Sequence, residues 1–167
     1  MDRDELRKKL IEKLKAFPEK EKESKILCSK LLSSSLWQQA ETILAFSPLS
    51  TEPDISPLLS DERVLLPYIE NGEMFFSASR ELKKSKLGFM EPEHTETDYG
   101  NALMLVPLLG FNGLYRLGRG GGFYDRYIRN NRDRLITAGI AYSASCCPLF
   151  IPEERDEKLD YIFSIEV

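Results

Sequence analysis

The sequence predicts an α/β fold: three layers, with a central, mostly parallel or mixed sheet covered by helices on both faces. Two patterns carry that prediction. Apolar residues recur at helical spacing through residues 1–40, and the rest of the chain breaks into short apolar runs between turn-rich stretches. The run ALMLVPLLGF at 102–111 is almost continuously apolar, as a strand buried on both faces must be.

In chain order, Leu6, Leu10, Ile11 and Leu14 share one face of a first helix, with Asp2 or Asp4 placed to cap it and Phe17 and Pro18 to end it. A second helix starts at Pro18. It carries Glu19, Glu21 and Glu23 in its early turns, where the helix dipole favours acid, and is expected to bury Ile26, Leu27, Leu31 and Leu32. Trp37 and Ala40 close the helical region. Strands are expected at 43–48, 63–69, 73–79, 102–111, 135–143 and 160–167. Between them, TEPDISPLLSDE reads as one short helix, YDRYIRNNRDRL as another, and KLGFMEPEHTETDYG as an ordered loop. No internal repeat or long linker divides the chain, so residues 1–167 are read as one domain. The first two helices are expected to flank a ligand crevice at the strand ends.

Composition narrows the function. With 42% hydrophobic and 30% charged residues the chain is too apolar for disorder and too polar for a membrane protein. No apolar run approaches the roughly 20 residues of a bilayer span, and the charged start MDRDELRKKL is unlike a signal peptide, which implies a cytoplasmic setting. Cys28, Cys146 and Cys147 cannot all pair within one chain, which suits reduced thiols. One histidine, His94, and the lack of a CxxC pair argue against zinc chemistry. A net charge of -4 argues against a nucleic-acid partner, whereas local clusters of arginine suit a small polyanion.

The informative segment is GFNGLYRLGRGGGFYDRY, where Gly118, Gly120, Gly121 and Gly122 precede a helical stretch. Glycines allow positive φ and bring backbone N–H groups close to a ligand, and a helix N-terminus favours an anion. The segment is neither a dinucleotide fingerprint, because Phe123 takes the last glycine position, nor a Walker A loop, because no Gly-Lys-Ser/Thr follows. A flexible surface turn is the competing reading. Phe123, Tyr124 and Tyr127 beside Arg119, Asp125 and Arg126 weigh against it, because such rings need burial or a flat ligand.

At this point the chain resembles the 5-formyltetrahydrofolate cyclo-ligase family, whose hallmark is VPGxxFD followed by RLGxGxGYYDRxL. The counterpart here is VPLLGFNGLYRLGRGGGFYDRYI, and RDELRKKL, LWQQAETILAFSPLSTEPD, VLLPYIENGEMFF, GFMEP and PEERDEKLDYIFS extend the likeness along nearly the whole chain. The resemblance implies an enzyme that spends ATP, with magnesium, to close 5-formyltetrahydrofolate into 5,10-methenyltetrahydrofolate; the chain is expected to act as a monomer. It implies that Arg3 and Arg7 meet the nucleotide phosphates, as do Arg116, Gly118, Arg119, Gly120, Gly121, Gly122, Phe123 and Tyr124. Arg116 and Arg119 are the catalytic candidates. Phe46, Ser47 and Glu52, with Arg119 to Phe123, are implied for folate, and Asp125 and Asp156 for magnesium. Without the resemblance, Arg3 and Arg7 read as a solvated helix face and Glu52 and Asp156 as loop charges.

Four positions depart from the family pattern: Gly121 in place of a frequent lysine, Phe123 for tyrosine, Asn112 for aspartate, and Ser145 near a frequent glutamine. Two other functions remain open on the sequence: a non-catalytic folate or nucleotide sensor, and a sugar-phosphate isomerase-like enzyme that ignores ATP.

Overall fold

The computed structural model describes residues 1–166. Helix α1 (Arg3–Lys15) is capped by Asp2, whose carboxylate accepts from Glu5 N at 2.8 Å, and buries Leu6, Leu10 and Leu14. Helix α2 (Lys20–Leu32) buries Leu27 and Leu31 as expected, but Ile26 and Leu32 are 41% and 47% exposed. In their place α2 turns Glu23, Ser24 and Cys28 inward, because Glu23 and Ser24 have partners there. A short helix α3 (Ser35–Gln39) follows, capped by Ser34, and sets Trp37 against the core.

Six strands form the main sheet: β1 (Thr42–Leu44), β2 (Val64–Glu70), β3 (Glu73–Ser77), β6 (Ala102–Val106), β9 (Leu135–Ile140) and β10 (Tyr161–Phe163). Their order is β10-β9-β6-β1-β2-β3, parallel throughout except for the edge strand β3. The β2–β3 turn is Asn71-Gly72, both at positive φ (52° and 76°), as a two-residue hairpin loop requires. Two small hairpins complete the set: β4 (Leu82–Lys84) with β5 (Met90–Pro92), and β7 (Gly110–Asn112) with β8 (Tyr115–Leu117).

Several sequence expectations are refined. The run 102–111 is not one strand, since the chain leaves the sheet after Val106 at Pro107 and re-forms as β7. The runs 43–48 and 135–143 end early, at Leu44 and Ile140. The segment 51–62 makes only a 3-10 turn, Ser56–Leu58, and the expected loop 86–100 contains β5. The last strand stops at Phe163; Val167, at the end of the expected run, lies outside the described residues.

Strand alternation divides the core. Ile43, Leu103 and Leu105 pack with Leu27, Leu31 and Trp37 on the face covered by α2 and α3. Leu44, Met104 and Val106 pack with Ile128 of α4 (Phe123–Asn131) on the other, giving the three layers. Helix α1 lies apart from both, its three leucines against Leu109, Leu117, Tyr142 and Phe150. That placement brings α1 to the end of the sheet where β6 stops.

The topology fixes where a ligand can go. From β1 the chain moves to β2 and β3 on one side, then returns to β6 on the other, so the strand order reverses between β1 and β6. In open α/β sheets the crevice beyond the carboxyl ends of such a pair is the binding place.

Candidate active site

A cavity of ≈ 540 Å³ opens at that reversal. Phe46 and Ser47, just after β1, and Pro107, Leu108 and Leu109, just after β6, form its base. Every residue singled out from the sequence for nucleotide, folate or metal lines it, including Arg3 and Arg7 from α1. No α2 side chain does, so α1 alone of the first two helices flanks the crevice. Glu23 and Ser24 of α2 instead hold the loops behind it.

The glycine loop joins β8 to α4. Gly120 (φ 104°) and Gly122 (φ 72°) adopt the left-handed backbone that favours glycine, and Gly122 starts α4 without a side-chain cap. Its carbonyls are gripped from both sides: Arg7 Nε donates to Gly118 O at 2.9 Å and Arg126 Nη1 to Gly121 O at 2.9 Å. Gly118 is required by contact, since a Cβ there would lie 2.1 Å from Arg116 Nη2.

Arg116 is the buried cation of the site, 7% exposed. Its Nε donates to Pro107 O at 3.0 Å, Asp125 lies 3.8 Å away, and the guanidinium sits 5.3 Å from the Tyr124 ring. Burial pulls its pKa down, and the charges of Asp125, Tyr124, Glu52 and Asp156 oppose that pull; an arginine keeps its proton regardless. Burial also pushes the Tyr124 phenol well above its ordinary range, so it stays a neutral hydroxyl.

Arg3 is bound to the 150s loop. It donates from Nη1 to Asp156 Oδ1 at 3.0 Å and from Nη2 to Asp156 Oδ2, and its Nε is 3.2 Å from Glu153. Burial acts to raise the Asp156 pKa, but the Arg3 bonds, the Glu153 N–H and the nearby Arg3 and Arg155 charges hold it below the usual carboxylate range. On the opposite wall Glu52 is 7% exposed, and its Oε1 accepts from Leu49 N at 2.8 Å. Burial raises its pKa against the Leu49 bond and the Arg119 and Arg116 charges. Its Oε2 accepts nothing from the described residues, which leaves an acceptor for a ligand's donor edge.

Among the described residues no three acidic, histidine or cysteine side chains converge as a self-sufficient metal cage. Magnesium needs less, taking one or two carboxylates and completing its shell with phosphate and water. Asp125 fits that part: its Oδ1 accepts weakly from Glu157 N at 3.3 Å, and its Oδ2 has no partner among the described residues. Asp156 lines the same cavity, with both oxygens engaged by Arg3.

Sequence reasoning missed part of the lining. Leu87 and Phe89, from the β4–β5 hairpin, and Pro67, Ile69 and Met74, from β2 and β3, form an apolar wall. Arg155 and Arg129 add charge at the arginine end. The apolar wall carries no local signature, whereas Arg129 stands in the basic cluster around the glycine loop.

Fold and site together define an α/β domain that takes up ligands at the strand-order reversal, with an arginine-rich end suited to phosphate and an apolar end suited to a flat organic group. Comparison with known proteins specifies the family. The model of the 5-formyltetrahydrofolate cyclo-ligase family matches residues 1–164, and the chain belongs to that family. It is 27% identical to the 5-formyltetrahydrofolate cyclo-ligase of Mycoplasma pneumoniae, across 99% of this chain and 100% of that one. The mouse (Mus musculus) 5-formyltetrahydrofolate cyclo-ligase is 24% identical over 94% of this chain and 90% of its own. Among solved structures, the 5,10-methenyltetrahydrofolate synthetase of Aquifex aeolicus superposes with TM-score 0.79 at 26% identity, covering 98% of this chain and 90% of that one. The Mycoplasma pneumoniae synthetase superposes with TM-score 0.71 at 25% identity, over 97% and 98%.

Proposed function

We propose that this cavity catalyses the ATP-dependent closure of 5-formyltetrahydrofolate to 5,10-methenyltetrahydrofolate, releasing ADP and phosphate. The observation that carries the reading is that the residues the family resemblance points to, scattered from Arg3 to Asp156, line one cavity at the strand-order reversal. The chemistry needs no protein nucleophile. The formyl oxygen attacks the γ-phosphorus and the bond to the ADP oxygen breaks. N10 then adds to the activated formyl carbon and gives up its proton to solvent, and the former formyl oxygen leaves as phosphate. What the protein must do is hold two ligands in line and neutralise phosphate charge.

The side chains divide that work. Arg3, Arg7 and Arg116, with the backbone from Gly118 to Tyr124, receive the nucleotide phosphates; Arg116, fixed by Pro107 O, faces the charge that develops on transfer. Arg119, Gly120, Gly121, Gly122 and Phe123 lie between the ligands. Phe46, Ser47 and Glu52 take the pterin, whose N–H donors match the unused Glu52 oxygen. Asp125 and Asp156 would hold magnesium, which supplies charge neutralisation of the phosphates when bound.

The whole chain acting as one monomeric domain in the cytoplasm belongs to the same proposal. The three cysteines are free, and no described helix is long and apolar enough to cross a membrane. A net charge of -4 supports the absence of a nucleic-acid partner. Incubation with ATP, magnesium and 5-formyltetrahydrofolate tests the activity: near-ultraviolet absorbance of the methenyl product should rise in step with ADP. Absence of product under every divalent ion would overturn the reading.

A further inference from the structure

We propose that Thr51 is a positioning residue that holds Arg119 between the two ligands and thereby makes their affinities depend on each other. The inference rests on the two-ligand reading of the cavity. Thr51 precedes Glu52 and is 3% exposed, yet it carries a hydroxyl. That hydroxyl oxygen accepts a hydrogen bond from Arg119 Nη2, joining the loop beyond β1 to the glycine loop across 68 residues of sequence.

The two sides of this contact differ in how firmly they are held. On the Thr51 side several backbone groups are tied. Glu52 N donates to Leu49 O at 3.0 Å and Leu49 N to Glu52 Oε1 at 2.8 Å. The Tyr142 hydroxyl donates to Glu52 O at 3.0 Å, and Asp54 N donates to Ser24 Oγ at 2.9 Å, itself 3.2 Å from the Tyr142 hydroxyl. These bonds reach the loop from α2 and from the segment after β9, so Thr51 sits on a rigid post.

The glycine loop is held differently. Gly120 and Gly122 give it left-handed turns on either side of Gly121; Arg7 and Arg126 hold its carbonyls, and among the described residues its hydrogen bond to the Thr51 loop is Arg119–Thr51. Arg119 is exposed, and its charge is felt by the neighbouring Glu52 carboxylate. A guanidinium so placed has further N–H donors to offer a ligand while one is spent on Thr51. A folate seated against Phe46 and Glu52 and touching Arg119 fixes the guanidinium against the Thr51 post. The nucleotide then meets a cation already oriented, and the ordering cost is met once rather than twice. Reciprocity requires the nucleotide to favour folate by the same factor.

The test is calorimetric titration of a non-hydrolysable ATP analogue with magnesium into the full chain, with and without 5-formyltetrahydrofolate. It is run on wild type, Thr51→Val and Thr51→Ser. Wild type should bind the analogue at least about fivefold more tightly when folate is present. Thr51→Val keeps the volume and removes the acceptor; the folate-dependent gain should collapse to less than about twofold, whereas Thr51→Ser should retain it. Adding Arg119→Gln to Thr51→Val should change the gain no further, because both substitutions break one contact. Full coupling in Thr51→Val, or none in wild type that binds both ligands, would overturn the inference and leave the proposed activity standing. Wild type that bound neither ligand would overturn the activity itself. Melting curves accompany each variant; should Thr51→Val fail to fold, Arg119→Gln alone, which removes the donor from an exposed side chain, must abolish the same gain.

Discussion

Replacing Gly118 by alanine tests whether Arg116 is fixed. The added Cβ would lie 2.1 Å from Arg116 Nη2 and 3.0 Å from Cζ, where ordinary contact begins at 3.4 Å, so the guanidinium must retreat by about 1.3 Å, the difference between 2.1 and 3.4. Arg116 cannot do so freely: it is 7% exposed, and its Nε bond to Pro107 O is 3.0 Å long. Losing a buried charged hydrogen bond costs about 1.5–3 kcal/mol. In a chain of this size that lowers the melting temperature by about 3–12 °C. Activity should fall further, because a misplacement of about 1 Å at a transition-state contact can cost on the order of a hundredfold in kcat/KM. Gly100→Ala is the control: its Cβ meets nothing within 4 Å and its backbone needs no glycine. Thermal unfolding and ADP release are measured on both. A Gly118→Ala protein that melts and turns over like Gly100→Ala would show that Arg116 is not held where its role requires.

Asp125→Ala should lower magnesium-dependent turnover by about a hundredfold or more while shifting stability by under about 1 kcal/mol, since it removes a partly exposed carboxylate and no core volume; ADP release and urea unfolding check this. Glu52→Gln trades function for stability. The folded chain raises the Glu52 pKa, so ionising this group costs stability as pH rises through the carboxylate range, above about 4. The glutamine variant should therefore melt higher than wild type at neutral pH and equal to it in acid, while its KM for folate rises about tenfold or more. Equal melting at both pH values would contradict the burial argument. Asp156 has the opposite sign: its lowered pKa stabilises the fold above the unfolded carboxylate pKa, and that contribution is lost as pH falls below about 4. Asp156→Asn should flatten the acid limb of the stability profile. Tyr142→Phe leaves the buried Glu52 carbonyl without its 3.0 Å donor, which should cost about 1–3 kcal/mol and raise KM for folate more than for ATP.

Much of the architecture was legible because burial leaves a pattern. Strand β6 is buried at all five positions and reads as an apolar run, and α1 shows its leucines at helical spacing. Legibility failed where polar groups are buried by distant partners. Glu23 is 3% exposed because its carboxylate holds Ser143 N and Oγ, 120 residues away, and that pairing turns Ile26 and Leu32 outward. Strand β4, Leu82 to Lys84, is exposed throughout, so no alternation marks it. At the site the same division holds. Clustered glycines announce the loop, and Arg116 stands beside them, but Arg3 and Arg7 differ in no local way from Lys8 and Lys9. Only tertiary placement of α1 against the β7–β8 hairpin and the 150s loop brings them to the cavity. Leu87, Phe89 and Arg155 reach it from loops and a hairpin with no motif of their own.

The central claim is that the cavity moves the γ-phosphoryl group of ATP onto the formyl oxygen of the folate. The measurement that addresses it most directly is a single turnover with 5-formyltetrahydrofolate carrying a heavy-oxygen label in the formyl group, followed by mass analysis of the phosphate released. The account predicts that each phosphate carries the label and appears with one ADP and one methenyl product. Unlabelled phosphate, or methenyl product formed without ADP, would contradict it.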